Sequence, residues 1–210
     1  GLNFETFIKF FIIAIILVTF LGITGSLLLK ICKRDYIREL PPLILPNTGN
    51  MGLPICLFAY GTKGLGIGSA IFCVIILFHF TIGVLLADKK FSLKPLIRNG
   101  PFYAIFISLI FLYYNFELPK FVENTTMLLS YATILLVLMS LGVGLSKLKV
   151  FSFKLATILS IHRVIFGPLI GLLLIKIFDL SGVEAGILLI QCSMPSAILT
   201  YLVAQMYSPK

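Results

Sequence analysis

The sequence has little charge, and acidic residues are its scarcest charged class. Only 12% of its 210 residues are charged, with eight Asp or Glu against 17 Lys or Arg. Soluble domains usually carry about 25% charged residues, and 59% of this chain is hydrophobic. Its basic residues cluster in short segments between apolar runs, where they orient a membrane protein rather than bind nucleic acid. The composition therefore predicts an all-α polytopic membrane protein in a lipid bilayer, and it argues against a nucleic-acid partner.

Metal-ligand spacings and catalytic sets are also missing. The four cysteines show no CxxC or Cys/His pattern, so we interpret them as small apolar residues or unpaired thiols: Cys32, Cys56, Cys73 and Cys192. No paired Asp, Ser with His, or HExxH set lies within an apolar run, which argues against an intramembrane enzyme. We therefore expect no cofactor and no metal.

Seven apolar runs approach the roughly 20 residues that a membrane-spanning helix needs. They lie near residues 7–29, 43–60, 65–87, 101–114, 121–145, 151–178 and 183–207. Lys and Arg concentrate in alternate connections, around residues 30–38, 89–98 and 147–154, which predicts that these connections are cytoplasmic. The chain begins without a methionine and ends soon after its last apolar run, so we expect a fragment truncated at both ends.

Two of these runs contain helix-breaking residues. The first break, within residues 45–54, holds two prolines, two glycines and two asparagines: Pro46, Pro54, Gly49, Gly52, Asn47 and Asn50. Proline lacks an N–H, and glycine lets the backbone leave helical geometry at little steric cost. A second break is expected within residues 191–196, at Met194 and Pro195. Two interrupted helices in corresponding halves of a chain are typical of the substrate site of a secondary transporter.

Three ionisable residues lie inside the predicted spans. Arg163 is about 13 Å deeper than Lys154 along a helix that rises about 1.5 Å per residue, so it is predicted near the bilayer midplane. A buried cation there favours either an anionic substrate or the carbonyl end of a broken helix, and both interpretations stay open. His79 and His162 are interpreted as hydrogen-bonded packing residues, with a functional role as the alternative.

Four motifs, in order, resemble the auxin efflux carrier family, which includes plant auxin exporters and bacterial malate and malonate permeases. They are Leu-Pro-Asn-Thr-Gly-Asn-Met-Gly-Leu-Pro at 45–54, Met-Ser-Leu-Gly-Val-Gly-Leu at 139–145, Arg-Val-Ile-Phe-Gly-Pro at 163–168 and Met-Pro-Ser-Ala at 194–197. They are similar to stretches of that family's fourth, seventh, eighth and ninth helices. The resemblance covers nearly the whole chain.

This resemblance implies an inverted-repeat transporter of the ten-helix type, in which two proline-broken helices cross. On that register the chain holds about seven helices, the third to the ninth. Residues 1–90 would form transport-domain helices three to five, and residues 151–210 transport-domain helices eight and nine. Residues 91–150 would form a cytoplasmic loop and scaffold helices six and seven. A homodimer through the scaffold is also implied.

The function expected on these grounds is that of a secondary permease for a small organic anion such as malate, malonate or an auxin-like carboxylate. It would work by alternating access in the cell inner (plasma) membrane, and coupling to a proton or to sodium stays open. The predicted substrate-binding residues are Asn47, Asn50, Gln191, Arg163, Ser193 and Ser196. The alternative is a structural or sensory membrane subunit that does not transport.

Overall fold

The structure is a computed structural model that describes residues 2–88, 94–146 and 152–207. Its helices are α1 (Phe4–Ile31), α2 (Tyr36–Ile44), α3 (Leu53–Phe78), α4 (Val84–Asp88), α5 (Lys94–Ile97), α6 (Gly100–Tyr114), α7 (Lys120–Ser146), α8 (Phe153–Ile177), α9 (Gly182–Ser193) and α10 (Ile198–Tyr207). Two π-helical turns, Thr48–Gly52 and His79–Gly83, flank α3, so that helical geometry runs from Thr48 to Asp88 with an interruption at Gly61. The predicted all-α fold is confirmed.

Within the described ranges, four helices are long and apolar enough to cross a membrane: α1, Thr48–Asp88, α7 and α8. Two shorter apolar helices, α6 and α9, have 15 and 12 residues. The second and third predicted runs correspond to two arms of Thr48–Asp88, because its backbone leaves helical geometry at Gly61 between them. The seventh run is divided between α9 and α10.

The helix Thr48–Asp88 folds back on itself at Gly61. Its 41 residues would extend about 60 Å if straight, twice the thickness of a bilayer core of about 30 Å. Gly61 has φ 61° and ψ −153°, a backbone conformation that side-chain-bearing residues rarely adopt. On either side of it, Gly64 lies against Cys56 and Gly49 lies against the ring of Phe72. Both pairs are nearly symmetric about position 61, so the two arms run antiparallel.

The buried core surrounds α1, which contacts α2, α3 and α8 and buries Phe10, Leu17 and Leu21 completely. Helix α9 packs against α3 and α8, and Lys9 of α1 forms an ion pair with its Glu184 at 2.8 Å. By contrast, α6 and α7 contribute no buried residue within the described ranges. The domain boundaries predicted at 90/91 and 150/151, and the basic residues Lys89, Lys90, Lys147 and Lys149, lie outside the described residues.

The first helix break is shorter than the sequence predicted. Only residues 45–47 leave helical geometry, because the helix resumes at Thr48. Gly49, Gly52 and Pro54 are therefore helical, and the prediction that they form part of the break is wrong. Pro54 directly follows the π-helical turn, at the start of α3. The second break includes Met194 and Pro195 as predicted, because α9 ends at Ser193 and α10 begins at Ile198.

Candidate substrate site at the helix crossing

The two interrupted helices meet where each leaves helical geometry. The Asn47 N–H donates to the Pro195 carbonyl at 2.7 Å, and the Ala197 N–H donates to the Leu45 carbonyl at 3.1 Å. These bonds form an antiparallel bridge between segments that are 148 to 152 residues apart in the chain. In a bilayer interior no water is available to satisfy freed backbone groups. The two breaks satisfy each other, and this explains why they lie together.

Ser196 supplies a hydrogen that Pro46 lacks. In a continuous helix the carbonyl of Pro42 would accept from the N–H of residue 46, but proline has no N–H. The Ser196 hydroxyl donates to that carbonyl instead. Ser193, by contrast, donates to the Leu189 carbonyl of its own helix at 2.7 Å. Both hydroxyls were predicted to bind substrate, and in this structure both are engaged by backbone carbonyls.

Arg163 lies at the carbonyl end of α9. Its Nη2 donates to the Cys192 carbonyl at 3.0 Å, and only 1% of the residue is exposed. Nε and Nη1 have no hydrogen-bond partner among the described residues. Helix α8 approaches closely here, since a Cβ at Gly167 would collide with the Cys192 carbonyl. The sequence left two interpretations open for Arg163, a substrate contact and a contact with the carbonyl end of a broken helix. The structure contains the second contact. The guanidinium also keeps Nε and Nη1 buried without a partner among the described residues.

Gln191 fills a notch between the arms of the α3 hairpin. A Cβ at Gly52 or at Gly68 would press against its carboxamide, so both positions need a residue without a side chain. Its Nε2 lies 3.6 Å from the Cys56 sulfur, and its Oε1 is buried without a partner in the part of the chain described. Gln191 is therefore behind the crossing, with an acceptor that no described group uses.

Asn47, Thr48 and Asn50 line the first turn of the helix that follows the first break. The Asn47 side chain does not cap this helix, although the residue is only 4% exposed. Thr48 is fully buried, and its hydroxyl has no partner in the described ranges. Asn50 is half-buried. The turn contacts α7, so these polar groups lie at the boundary between the packed core and the exposed helix.

The electrostatics of this region favour an anion. A helix N-terminus carries partial positive charge and N–H groups without a carbonyl one turn earlier, and such a terminus lies at Thr48. The buried guanidinium of Arg163 adds a full positive charge nearby in the fold. The acidic residues of the chain lie in connections or near helix ends: Glu5, Asp35, Glu39, Asp88, Glu117, Glu123, Asp179 and Glu184.

Sequence reasoning missed two polar residues next to the predicted set, Thr48 and Thr200. Thr48 directly follows Asn47, and this position inside the broken motif was a usable signal. Thr200 gave no such signal, because its partner, His79, is 121 positions away in the chain. The Nε2 atom of His79 lies 3.3 Å from the Thr200 hydroxyl. His162 stacks on Phe166 at 4.6 Å between ring centroids, and neither of its ring nitrogens has a partner among the described residues.

Two crossed, interrupted helices in the core of a helical membrane protein are an arrangement found in many transporters. Comparison with known proteins agrees. The family described as membrane transport protein matches residues 84–209. An uncharacterized transporter from Methanocaldococcus jannaschii is 31% identical over 217 aligned residues, which cover 96% of this chain and 70% of that protein. No solved structure matches. The chain belongs to this membrane transport protein family, and the resemblance to auxin efflux carriers is confirmed.

Proposed function

We propose that this chain forms the substrate-translocating part of a secondary permease for a small organic anion such as malate, malonate or an auxin-like carboxylate. The family supports a transporter acting on a small molecule in a bilayer. The observation that carries the anion is the crossing itself, where a helix start lies beside the Asn47 amide, which does not cap it. A carboxylate accepts from both kinds of donor.

The substrate carboxylate accepts hydrogen bonds from the side-chain amides of Asn47 and Asn50 and from the N–H groups of Gly49 and Asn50 in the first turn of the helix that begins at Thr48. The Thr48 N–H itself donates to the Pro46 carbonyl at 2.8 Å. Arg163, at the end of α9, balances the negative charge of the substrate. Gln191 lies behind the site, and its side-chain oxygen has no partner in the described ranges. The polar groups lie beside α7. In an alternating-access cycle the crossing moves past α7, so that the bound anion faces one side of the membrane and then the other.

The remaining expectations are part of the same proposal. The protein acts as a multi-pass carrier in the cell inner (plasma) membrane, and the part that moves comprises α1–α4 and α8–α10. Helices α6 and α7 form the static scaffold. Neither helix has a fully buried residue in the described ranges, as expected for a scaffold that pairs with a second copy in a homodimer. The chemistry of the site is binding rather than bond making, so the protein is not an enzyme.

The experiment is counterflow in proteoliposomes, in which unlabelled anion inside drives uptake of the same labelled anion from outside. The panel contains malate, malonate, succinate and indole-3-acetate. One or more should exchange with the wild-type protein, and Asn47→Ala should slow that exchange at least about tenfold, since a hydrogen bond to a charged group contributes about 1.5–3 kcal/mol.

The matched control is Asn99→Ala. Asn99 also stands at the start of a helix without capping it, but it lies far from the crossing in the chain and precedes α6. Its replacement should leave exchange unchanged. Normal exchange by a well-folded Asn47→Ala variant would remove the crossing as the binding site. Absence of exchange for every anion in the panel would favour the structural or sensory alternative.

A further inference from the structure

His79 lies at the start of the second π-helical turn, His79–Gly83, and is only 2% exposed. Its Nδ1 lies 2.8 Å from the Ile75 carbonyl. A carbonyl can only accept, so Nδ1 carries a hydrogen, and in the neutral ring Nε2 holds the lone pair. The protein therefore presents one defined basic nitrogen inside a membrane-spanning helix. Single π-helical turns occur frequently at functional sites.

That nitrogen faces a residue of the second interrupted helix. Nε2 of His79 lies 3.3 Å from the hydroxyl oxygen of Thr200, which belongs to the first turn of α10. The Thr200 N–H donates to the Ala197 carbonyl at 3.1 Å, and Ala197 forms one of the two backbone bonds of the crossing. Thr200 is half-buried. The pair thus joins the far arm of the α3 hairpin to the segment that forms the candidate site.

We propose that Nε2 of His79, together with the Thr200 hydroxyl, is the binding site for a proton that is co-transported with the anion. This inference rests on the proposed function. When a proton adds to the Nε2 lone pair, the ring becomes an imidazolium and no other covalent bond changes. In the neutral state the Thr200 hydroxyl donates to Nε2, and in the protonated state it accepts from the new N–H.

This exchange of donor and acceptor roles between Thr200 and His79 also affects the crossing. Once the Thr200 hydroxyl accepts from His79, its own hydrogen turns to a backbone carbonyl of the preceding turn, the usual partner of a threonine at a helix start. The carbonyl beside it is that of Ala197, which already accepts from the Thr200 N–H at 3.1 Å and whose own N–H donates to the Leu45 carbonyl at the crossing. Protonation also adds a positive charge next to the segment that forms the crossing. Because coupling between two bound ligands is reciprocal, a bound anion strengthens proton binding by the same factor, which is the requirement for symport.

The surroundings leave this charge without a carboxylate neighbour. The π-turn packs against α3, α4, α5 and α10. Their described ionisable residues are Cys56, Tyr60, Lys63 and Cys73 on α3, Asp88 on α4, Lys94 on α5 and Tyr201 on α10. Asp88 is nine residues from His79, about 13 Å along the helix. The bound anion is therefore the available counter-charge for a protonated His79 in the described part of the protein.

The test compares two measurements on the same proteoliposomes: counterflow at equal pH on both sides, and accumulation of the same labelled anion driven by an imposed pH gradient. The ratio of accumulation to counterflow isolates coupling from binding. In wild-type protein the ratio should rise with the gradient, and a pH-sensitive dye should record proton uptake with the anion. His79→Gln keeps a hydrogen-bonding side chain but takes up no proton, so its ratio should no longer depend on the gradient.

His162→Gln is the control, since it removes the other intramembrane histidine and should keep the wild-type ratio. Thr200→Val removes the hydroxyl and leaves the ring, so it should lower the ratio, and Thr200→Ser should restore it. This pair carries the test if His79→Gln does not fold. A gradient-dependent ratio in His79→Gln, an unaffected ratio in Thr200→Val, or accumulation driven by sodium instead of protons overturns the proton site. Absence of counterflow in the wild-type protein would instead contradict the proposed function, on which the proton site rests.

Discussion

The two interrupted helices reach the same crossing, but their carbonyl ends are stabilised differently. At the end of α2, the Pro42 carbonyl accepts from the neutral hydroxyl of Ser196. At the end of α9, the Cys192 carbonyl accepts from the guanidinium of Arg163. A helix C-terminus carries partial negative charge, so the cation is the stronger cap. The second half of the fold thus holds its break with a buried charge, and the first half holds its break with packing and a neutral bond.

The polar residue that follows each proline differs in the same way. Pro46 is followed by Asn47, whose side chain does not cap the helix. Pro195 is followed by Ser196, whose hydroxyl is used to repair the other helix. The first break therefore keeps its side chain available for a ligand, while the second gives its side chain to the architecture. We infer that substrate recognition concentrates on the first interrupted helix, although the crossing is nearly symmetric in its backbone bonds.

The largest expected loss of stability follows from removing the contact between Arg163 and the carbonyl end of α9. Arg163→Met keeps an unbranched apolar stem but removes the guanidinium and leaves the Cys192 carbonyl without its donor, at a cost of about 3 kcal/mol for a hydrogen bond to a charged group. Arg163→Lys retains one donor and should lose less stability. The measurement is the apparent melting temperature of the detergent-solubilised protein. If Arg163→Met is as stable as the wild-type protein, the guanidinium is not a cap, and its role shifts to the substrate.

A smaller effect should come from the packing that holds the first interrupted helix. Gly52→Ala would place a methyl group against the carboxamide of Gln191, which is fully buried. Overpacking of this kind costs about 2 kcal/mol. Adding Gln191→Ala should recover part of the loss, because the two residues share one space. Gly22→Ala is the control, since its Cβ meets nothing within 4 Å. Additive losses in the double variant would show that the notch does not hold the helix.

The smallest effect should separate the two serines. Ser196→Ala removes the donor to the Pro42 carbonyl and should cost about 1 kcal/mol, the value typical of a neutral hydrogen bond. Ser193→Ala removes only a bond to a carbonyl of its own helix, which adds little to stability. Thermal unfolding of both variants in the same detergent makes the comparison. Equal melting temperatures would mean that Ser196 does not repair the break made by Pro46.

Much of the fold followed from local chemistry. Pro46 and Pro195 lie in the two breaks, because a missing N–H acts on the proline's own helix. The extent of the first break was overestimated, since Gly49 and Gly52 remain helical and serve close packing against Phe72 and Gln191. Glycine is compatible with both outcomes, and its local sequence does not distinguish them. The reversal at Gly61 lies between the second and third predicted runs, 43–60 and 65–87, so the sequence located it.

The candidate site was predictable in its location and not in its bonding. The sequence placed Asn47, Gln191 and Arg163 near two broken helices, and the structure brings those helices together. Which of their atoms are engaged depends on partners elsewhere in the chain, such as Gln191 and Cys56, separated by 135 positions. The same holds for His79 and Thr200, separated by 121. The assignment of Asn47, Gln191 and Arg163 to a substrate stays a prediction until transport is measured.

The membrane class and the positions of the two breaks follow from the sequence, because hydrophobic length and the backbone properties of proline act locally. How the freed backbone groups are satisfied depends on contacts between distant parts of the chain. Two breaks in a bilayer interior must find donors and acceptors within the protein, and residues about 150 positions apart supply them. The pairing of Asn47 with Pro195, the repair of α2 by Ser196 and the cap of α9 by Arg163 are therefore properties of the fold.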